Sequence, residues 1–91
     1  MRAVRIRIEG RVQGVGFRAF VEREAQARTL DGFVRNRRDG GVEIVAAGPA
    51  TDIGSFIEAC RRGPRGSKIA MIKVIDEPSE IEKSFIIAAT V

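Results

Sequence analysis

The sequence has no histidine, tyrosine or tryptophan, and it has a single cysteine among 91 residues. Without imidazole, the chain cannot form the Ser/His and Cys/His pairs that activate many nucleophiles, nor most zinc sites that depend on histidine. The single cysteine, Cys60, cannot make an intramolecular disulfide, which is typical of a reducing compartment. Any catalysis by this chain must therefore use other groups.

Long hydrophobic segments are also missing. The longest apolar run, residues 85–89, is far shorter than the roughly 20 residues that a membrane-spanning helix needs. The N-terminal segment alternates arginine with branched residues, unlike a secretory signal. We therefore expect a cytoplasmic protein without a membrane span. The length predicts one domain over residues 1–91, and no broad apolar seam is visible, so we expect a monomer.

The charge balance is basic, with a formal net charge of +4 at pH 7 and a pI near 10.2. This balance favours an anionic partner, and both nucleic acid and phosphorylated small molecules qualify. Charge alone does not choose between them, and a solvated basic surface would give the same composition.

The spacing of apolar residues predicts six regular elements and a short seventh. Alternation predicts a strand over residues 4–8, and helical spacing begins at Phe17. The pair Asp39-Gly40 separates two β-rich runs, 32–38 and 41–47, as in a hairpin. A second helix is predicted over residues 53–60, with Thr51 and Asp52 as capping candidates and Gly63-Pro64 as its end. Strands over residues 69–75 and 85–89 complete the set.

The order of these elements is β-α-β-β-α-β with a short C-terminal strand. This order predicts a ferredoxin-like α+β sandwich, in which two helices cover one face of a mostly antiparallel sheet. Many functions occur on that fold, so the fold alone assigns none.

The loop between the first strand and the first helix contains the candidate binding residues. Two glycines, Gly14 and Gly16, precede the helix, where free N–H groups and the helix dipole favour an anion. Arg18, in the first helical turn, can add a planar guanidinium that matches phosphate oxygens. A tight structural turn and a solvent-facing arginine would give the same pattern. The loop fits neither a P-loop nor a dinucleotide fingerprint.

A second candidate residue, Asn36, lies near the end of the first hairpin strand. Asparagine is unfavourable inside a strand, so it can simply mark a turn or a sheet edge. Alternatively, its amide can hold a water molecule.

Together the two segments resemble one family. Acylphosphatases carry a GxVQGVxFR loop and a GxVRNxxDGxVE hairpin, and both patterns occur here in that order, at residues 10–18 and 32–43. The resemblance extends through Gly63-Pro64 and the terminal Phe85-Ile86-Ile87, and so covers essentially the whole chain.

The resemblance implies a hydrolase of acyl phosphates that needs no metal or other cofactor. Arg18 and the loop would bind the phosphate, Asn36 would orient the attacking water, and phosphate or sulfate would bind as a product-like ligand. The implied loop residues are Gln13, Gly14, Val15, Gly16, Phe17 and Arg18. Phosphoryl transfer depends mainly on charge neutralisation and in-line placement, which suits these groups.

The sequence departs from the family pattern at the end of the first helix, where Arg28-Thr29 replaces the usual Leu-Gly. If Thr29 adopts the left-handed conformation there, it carries strain that glycine would avoid. Phe33 and Arg65 also replace a frequent tryptophan and a frequent proline, away from the candidate site.

Three alternatives remain. Cys60 lies near a basic cluster, but Arg65 is one position too close for the Cys-x5-Arg loop of cysteine phosphatases, and the helical pattern buries Cys60. A basic ferredoxin-like sheet can bind RNA, although the stacking aromatics are missing, so we expect no nucleic-acid partner. The fold can also bind an acyl phosphate without hydrolysing it, as in the related N-terminal domains of carbamoyltransferases.

Overall fold

Alternating apolar and charged residues form the first strand, which has a neighbouring strand on each side within one sheet. The computed structural model describes all of residues 1–91. The elements are β1 (Arg2–Arg11), α1 (Phe17–Ala27), β2 (Asp31–Asn36), β3 (Val42–Gly48), α2 (Ala50–Arg62), β4 (Lys68–Asp76) and β5 (Phe85–Ile87). The predicted elements are all present, and β5 ends two residues earlier than predicted.

The five strands form one sheet in the order β4-β1-β3-β2-β5. Neighbouring strands are antiparallel except β2 and β5, which pair in parallel. This arrangement confirms the predicted ferredoxin-like α+β fold, with helices on one face of a mostly antiparallel sheet.

The core lies between the sheet and the two helices. Val4, Ile6 and Ile8 of β1 point into it because alternate strand residues face the same side. Helix α1 contributes Phe17, Val21 and Ala25, and α2 contributes Ile53, Phe56, Ile57 and Cys60. Burial of these apolar side chains fixes both helices against the sheet.

The opposite face of the sheet carries an ionic network. Glu43 on β3 accepts hydrogen bonds from Arg5 on β1 and Arg35 on β2, and Arg5 also donates to Glu77 at 2.7 Å. Burial of Glu43 opposes its ionisation, but the hydrogen bonds and positive charge of Arg35 and Arg5 outweigh it and lower its pKa. Arg5 and Arg35 on this face are therefore already paired with protein carboxylates.

The start of α2 differs from the prediction. The helix begins at Ala50, and Pro49 precedes it as the N-cap without any side-chain cap hydrogen bond. Thr51 and Asp52 are therefore helical residues and not caps. The physical reason is that the carbonyl of Pro49 already accepts the hydrogen bond of Ile53 N–H, at 3.0 Å, so the helix starts three residues earlier than predicted. Gly63 ends the helix with φ of 66°, as predicted.

Thr29 adopts the left-handed conformation that its position in the sequence predicts, with φ of 54°. Its N–H donates to Gln26 O and Leu30 N–H donates to Ala25 O, at 3.0 and 2.9 Å. This pair of bonds is a Schellman motif, which normally has glycine at the position of Thr29. A side chain at this position costs roughly 1–2 kcal/mol because its Cβ crowds the backbone.

We predict that Thr29→Gly raises stability by about 1 kcal/mol. In a domain of this size the thermal midpoint should then rise by roughly 4–8 °C, without a change in activity. Thr29→Ala is the matched control, because it removes the hydroxyl and methyl groups but keeps the strained Cβ. Thermal unfolding followed by circular dichroism measures both, and an unchanged or lower midpoint in Thr29→Gly would contradict the interpretation.

Candidate functional site

A cavity of about 260 Å³ lies where the loop after β1, the first turn of α1, the end of β2 and the end of β5 meet. The residues that line it are Val12, Gln13, Gly14, Gly16, Phe17, Arg18, Ala19, Asn36 and Ile87. The structure therefore brings together the loop and the asparagine that are separate in sequence.

The loop reaches the helix through two left-handed glycines. Gly14 and Gly16 have φ of 75° and 76°, a conformation that other residues adopt only with strain. None of the backbone N–H groups of residues 13 to 19 donates to a protein acceptor. Several donors and the positive end of the α1 dipole thus converge at one place, as in anion sites at helix N-termini.

Arg18 supplies the only charge in the cavity lining. Its side chain is half-buried and forms neither a salt bridge nor a hydrogen bond within the protein. No carboxylate lines the cavity, so the guanidinium is not neutralised locally. An unpaired arginine beside free amides is suited to bind a phosphate.

Asn36 is the last residue of β2 and points to the helix side of the sheet, as Val34 does. Its Oδ1 atom is buried and has no hydrogen-bond partner in the protein. A buried acceptor without a donor costs about 1–3 kcal/mol, so a bound molecule that donates to it is favourable. This is the sole buried side-chain nitrogen or oxygen atom of the chain left without a partner.

The side chains of the other predicted loop residues contact other parts of the protein. The side-chain amide of Gln13 donates both of its hydrogens to backbone carbonyls of the hairpin, those of Arg37 and Gly41. That side chain therefore has no hydrogen left for a ligand, although its backbone N–H remains free. Val15 does not line the cavity and packs against the core instead. Phe17 is buried, and only its backbone is suited to contact an anion.

Val12, Ala19 and Ile87 line the cavity but were not predicted. Val12 and Ala19 flank the loop, so the sequence could have indicated them by position. Ile87 could not be found in this way, because it reaches the cavity through the parallel pairing of β5 with Val34 of β2.

A larger cavity, of about 310 Å³, lies on the other face of the sheet beneath residues 77–84. Its lining contains two cations, Arg5 and Lys83, but also three glutamates, Glu77, Glu80 and Glu82. Arg5 is already paired with Glu77 and with Glu43. This cavity is therefore poorly suited to an anion. The same face has one aromatic ring, Phe33, and the guanidinium of Arg35 lies 4.9 Å from its centre. Such a face offers little for base stacking.

Cys60 lies in the core on α2, where its side chain is fully buried. Burial raises the pKa of its thiol to about 12, so the thiolate is scarce at neutral pH. This placement argues against the alternative in which Cys60 is a nucleophile.

We therefore predict that thiol reagents leave Cys60 unmodified in the folded protein and react once urea unfolds it. Cys60→Ala should keep its kcat while losing about 1 kcal/mol of stability from reduced packing. Mass spectrometry after iodoacetamide treatment, with and without urea, measures the modification. Rapid labelling of the folded chain together with loss of activity would contradict the structural role.

The fold and the cavity define a class of protein, a ferredoxin-like α+β domain with a site suited to an anion. The acylphosphatase family model matches residues 4–87. The acylphosphatase of Bacillus subtilis is 52% identical over 75 residues, which cover 82% of each chain. That of Rhodopseudomonas palustris strain BisB18 is 47% identical over 77 residues, 85% of this chain and 76% of the relative. The chain therefore belongs to the acylphosphatase family, and the prediction of an acylphosphatase enzyme is confirmed.

Solved structures agree with this membership. The crystal structure of the Bacillus subtilis acylphosphatase has a TM-score of 0.91 and 47% identity, and the match covers 97% of this chain and 99% of that one. Full-length HypF, in a phosphate- and nucleotide-bound form, has a TM-score of 0.90 and 37% identity over 98% of this chain but only 12% of its own. The same fold thus also occurs as a small part of a much larger protein.

None of the helices of the present chain is long and apolar enough to cross a bilayer.

Proposed function

We propose that this chain hydrolyses acyl phosphates in the cavity between the glycine loop and Asn36. In this reaction water attacks phosphorus, the bond between phosphorus and the acyl oxygen breaks, and the products are a carboxylate and dihydrogen phosphate. The two protons of the water remain on the phosphate product, so the acyl phosphate dianion gives two monoanions.

The proposed phosphate position is beside Arg18 and the free N–H groups of residues 13 to 19. The support for this position is that Arg18 has no protein partner and that no carboxylate competes for it in the cavity. Donors held in place by the fold stabilise the charge on the phosphoryl oxygens without having to reorganise during the reaction.

The proposed water position is at Asn36. The observation that supports it is that the Oδ1 atom of Asn36 is buried and has no hydrogen-bond partner in the protein. A water that donates one hydrogen to this oxygen has a lone pair free to face the phosphorus. Because the loop and Asn36 line one cavity, the phosphate and the water are held within reach of each other.

The leaving group explains why few catalytic groups suffice. A carboxylic acid has a pKa of about 4, so the carboxylate leaves at neutral pH without first taking a proton. The lining of the cavity accordingly holds no carboxyl group to act as a general acid.

We predict that Arg18→Ala lowers kcat/KM for benzoyl phosphate on the order of 10³-fold and weakens inhibition by phosphate or sulfate. The reason is that the only cation of the cavity is removed. Arg23→Ala is the matched control, because Arg23 is an exposed arginine on the same helix without an ion pair. Steady-state kinetics in the presence of EDTA measure both variants, and full activity in Arg18→Ala would refute the assignment.

We predict a different pattern for Asn36→Ala, in which kcat falls on the order of 10²-fold or more. Inhibition by inorganic phosphate should change by less than about threefold, because the phosphate-binding groups remain in place. Kinetics combined with phosphate inhibition separate the two roles. A parallel loss of phosphate binding would instead make Asn36 part of the phosphate site.

A further inference from the structure

The side chain of Gln13 connects the two halves of the candidate site. Its Nε2 atom lies 2.8 Å from Arg37 O and 2.9 Å from Gly41 O, and it donates a hydrogen to each. These carbonyls belong to the hairpin turn that follows Asn36, and they are 24 and 28 residues away from Gln13 in the chain. A single amide therefore joins the glycine loop to the turn.

The two carbonyls lie at the point where the hairpin closes. Arg37 N–H donates to Gly41 O at 2.8 Å, and the last paired residues of β2 and β3 are Asn36 and Val42. Gln13 thus contacts the residue directly after Asn36 and the residue directly before its partner Val42. Movement of this turn would change the direction of the Asn36 side chain.

The turn is also fixed from its other side. Asp39 accepts hydrogen bonds from Arg7 and from the N–H of Gly41, at 3.0 Å for the latter, and these bonds lower its pKa. However, Arg7 extends from the face of the sheet opposite the cavity, since it alternates with Ile6 and Ile8. Gln13 is the side chain that ties the turn to the loop on the cavity side.

We propose that Gln13 is a positioning residue for hydrolysis, which holds the water on Asn36 in line with the phosphate bound by the loop. This inference rests on the proposed function. In-line displacement is sensitive to placement, and a shift of about 1 Å can cost on the order of 10²-fold in rate. Because the amide hydrogens of Gln13 are used by the turn, its side chain governs the rate of the reaction and not phosphate affinity.

Gln13→Met tests the proposal because methionine has a similar length but no donor. We expect kcat to fall roughly 10- to 100-fold, while the inhibition constant for inorganic phosphate changes by less than about threefold. Gln26→Met is the matched control, since Gln26 is an exposed glutamine on α1 whose amide also approaches a backbone carbonyl, Phe85 O at 3.4 Å. It should retain the parent kcat.

Gln13→Glu adds a readout that a loss of stability alone would not produce. At low pH its protonated carboxyl can donate to one carbonyl, whereas at higher pH the carboxylate would face two carbonyl oxygens and repel them. The kcat of this variant should therefore be highest at about pH 4–5 and fall as the pH rises toward 8, relative to the parent at each pH. Gln13→Met should show no such relative change.

The parent protein gives an independent check that needs no variant to fold. The side-chain N–H groups of Gln13 should exchange with solvent at least about tenfold more slowly than those of Gln26, as measured by NMR. Equal exchange rates, an unchanged kcat in Gln13→Met, or an equal loss of kcat and phosphate binding would each overturn the positioning role. Failure of the proposed function is recognised separately, because the parent would then not hydrolyse benzoyl phosphate, or Arg18→Ala and Asn36→Ala would remain active.

Discussion

The antiparallel pairings of β3 with β1 and with β2 bring the glycine loop and Asn36 to the same place. Ile8 on β1 pairs with Val42 on β3, and Val42 pairs with Asn36 on β2, so the three residues form one row across the sheet. The glycine loop follows β1 beyond this row, at the same end of the sheet as the hairpin turn. A shift of one residue in the pairing of β2 with β3 would turn Asn36 to the opposite face and away from the loop.

Arginines on the two sides of the sheet differ in whether a carboxylate of the protein pairs with them. On the open face, Glu43 and Glu77 accept hydrogen bonds from arginines, which satisfies those cations within the protein. On the helix side, Arg18 faces a cavity without a carboxylate. A basic composition therefore does not show which cation binds a ligand. A cation that is suited to bind an anionic ligand is one without a protein carboxylate as its partner.

Residues with a left-handed backbone conformation occur in the glycine loop and at the end of α1. Gly14 and Gly16 adopt positive φ at no steric cost, and this conformation turns the chain from β1 into α1 with its amides free. Thr29 adopts a similar φ at the end of α1, where the Schellman hydrogen bonds and the burial of Leu30 hold it in place. The core thus imposes strain on a residue outside the site.

The sequence by itself determined the order of the elements and the fold class, and it predicted Arg18 and Asn36 as candidate site residues, because apolar periodicity, turn residues and the two family motifs are local patterns. Only the tertiary structure decided that Gln13 donates to the hairpin turn, that Ile87 lines the cavity and that Arg18 has no partner. These features depend on contacts between segments far apart in the chain. The direction of a side chain and the pairing of a charge are set by such contacts, and a local pattern does not contain them.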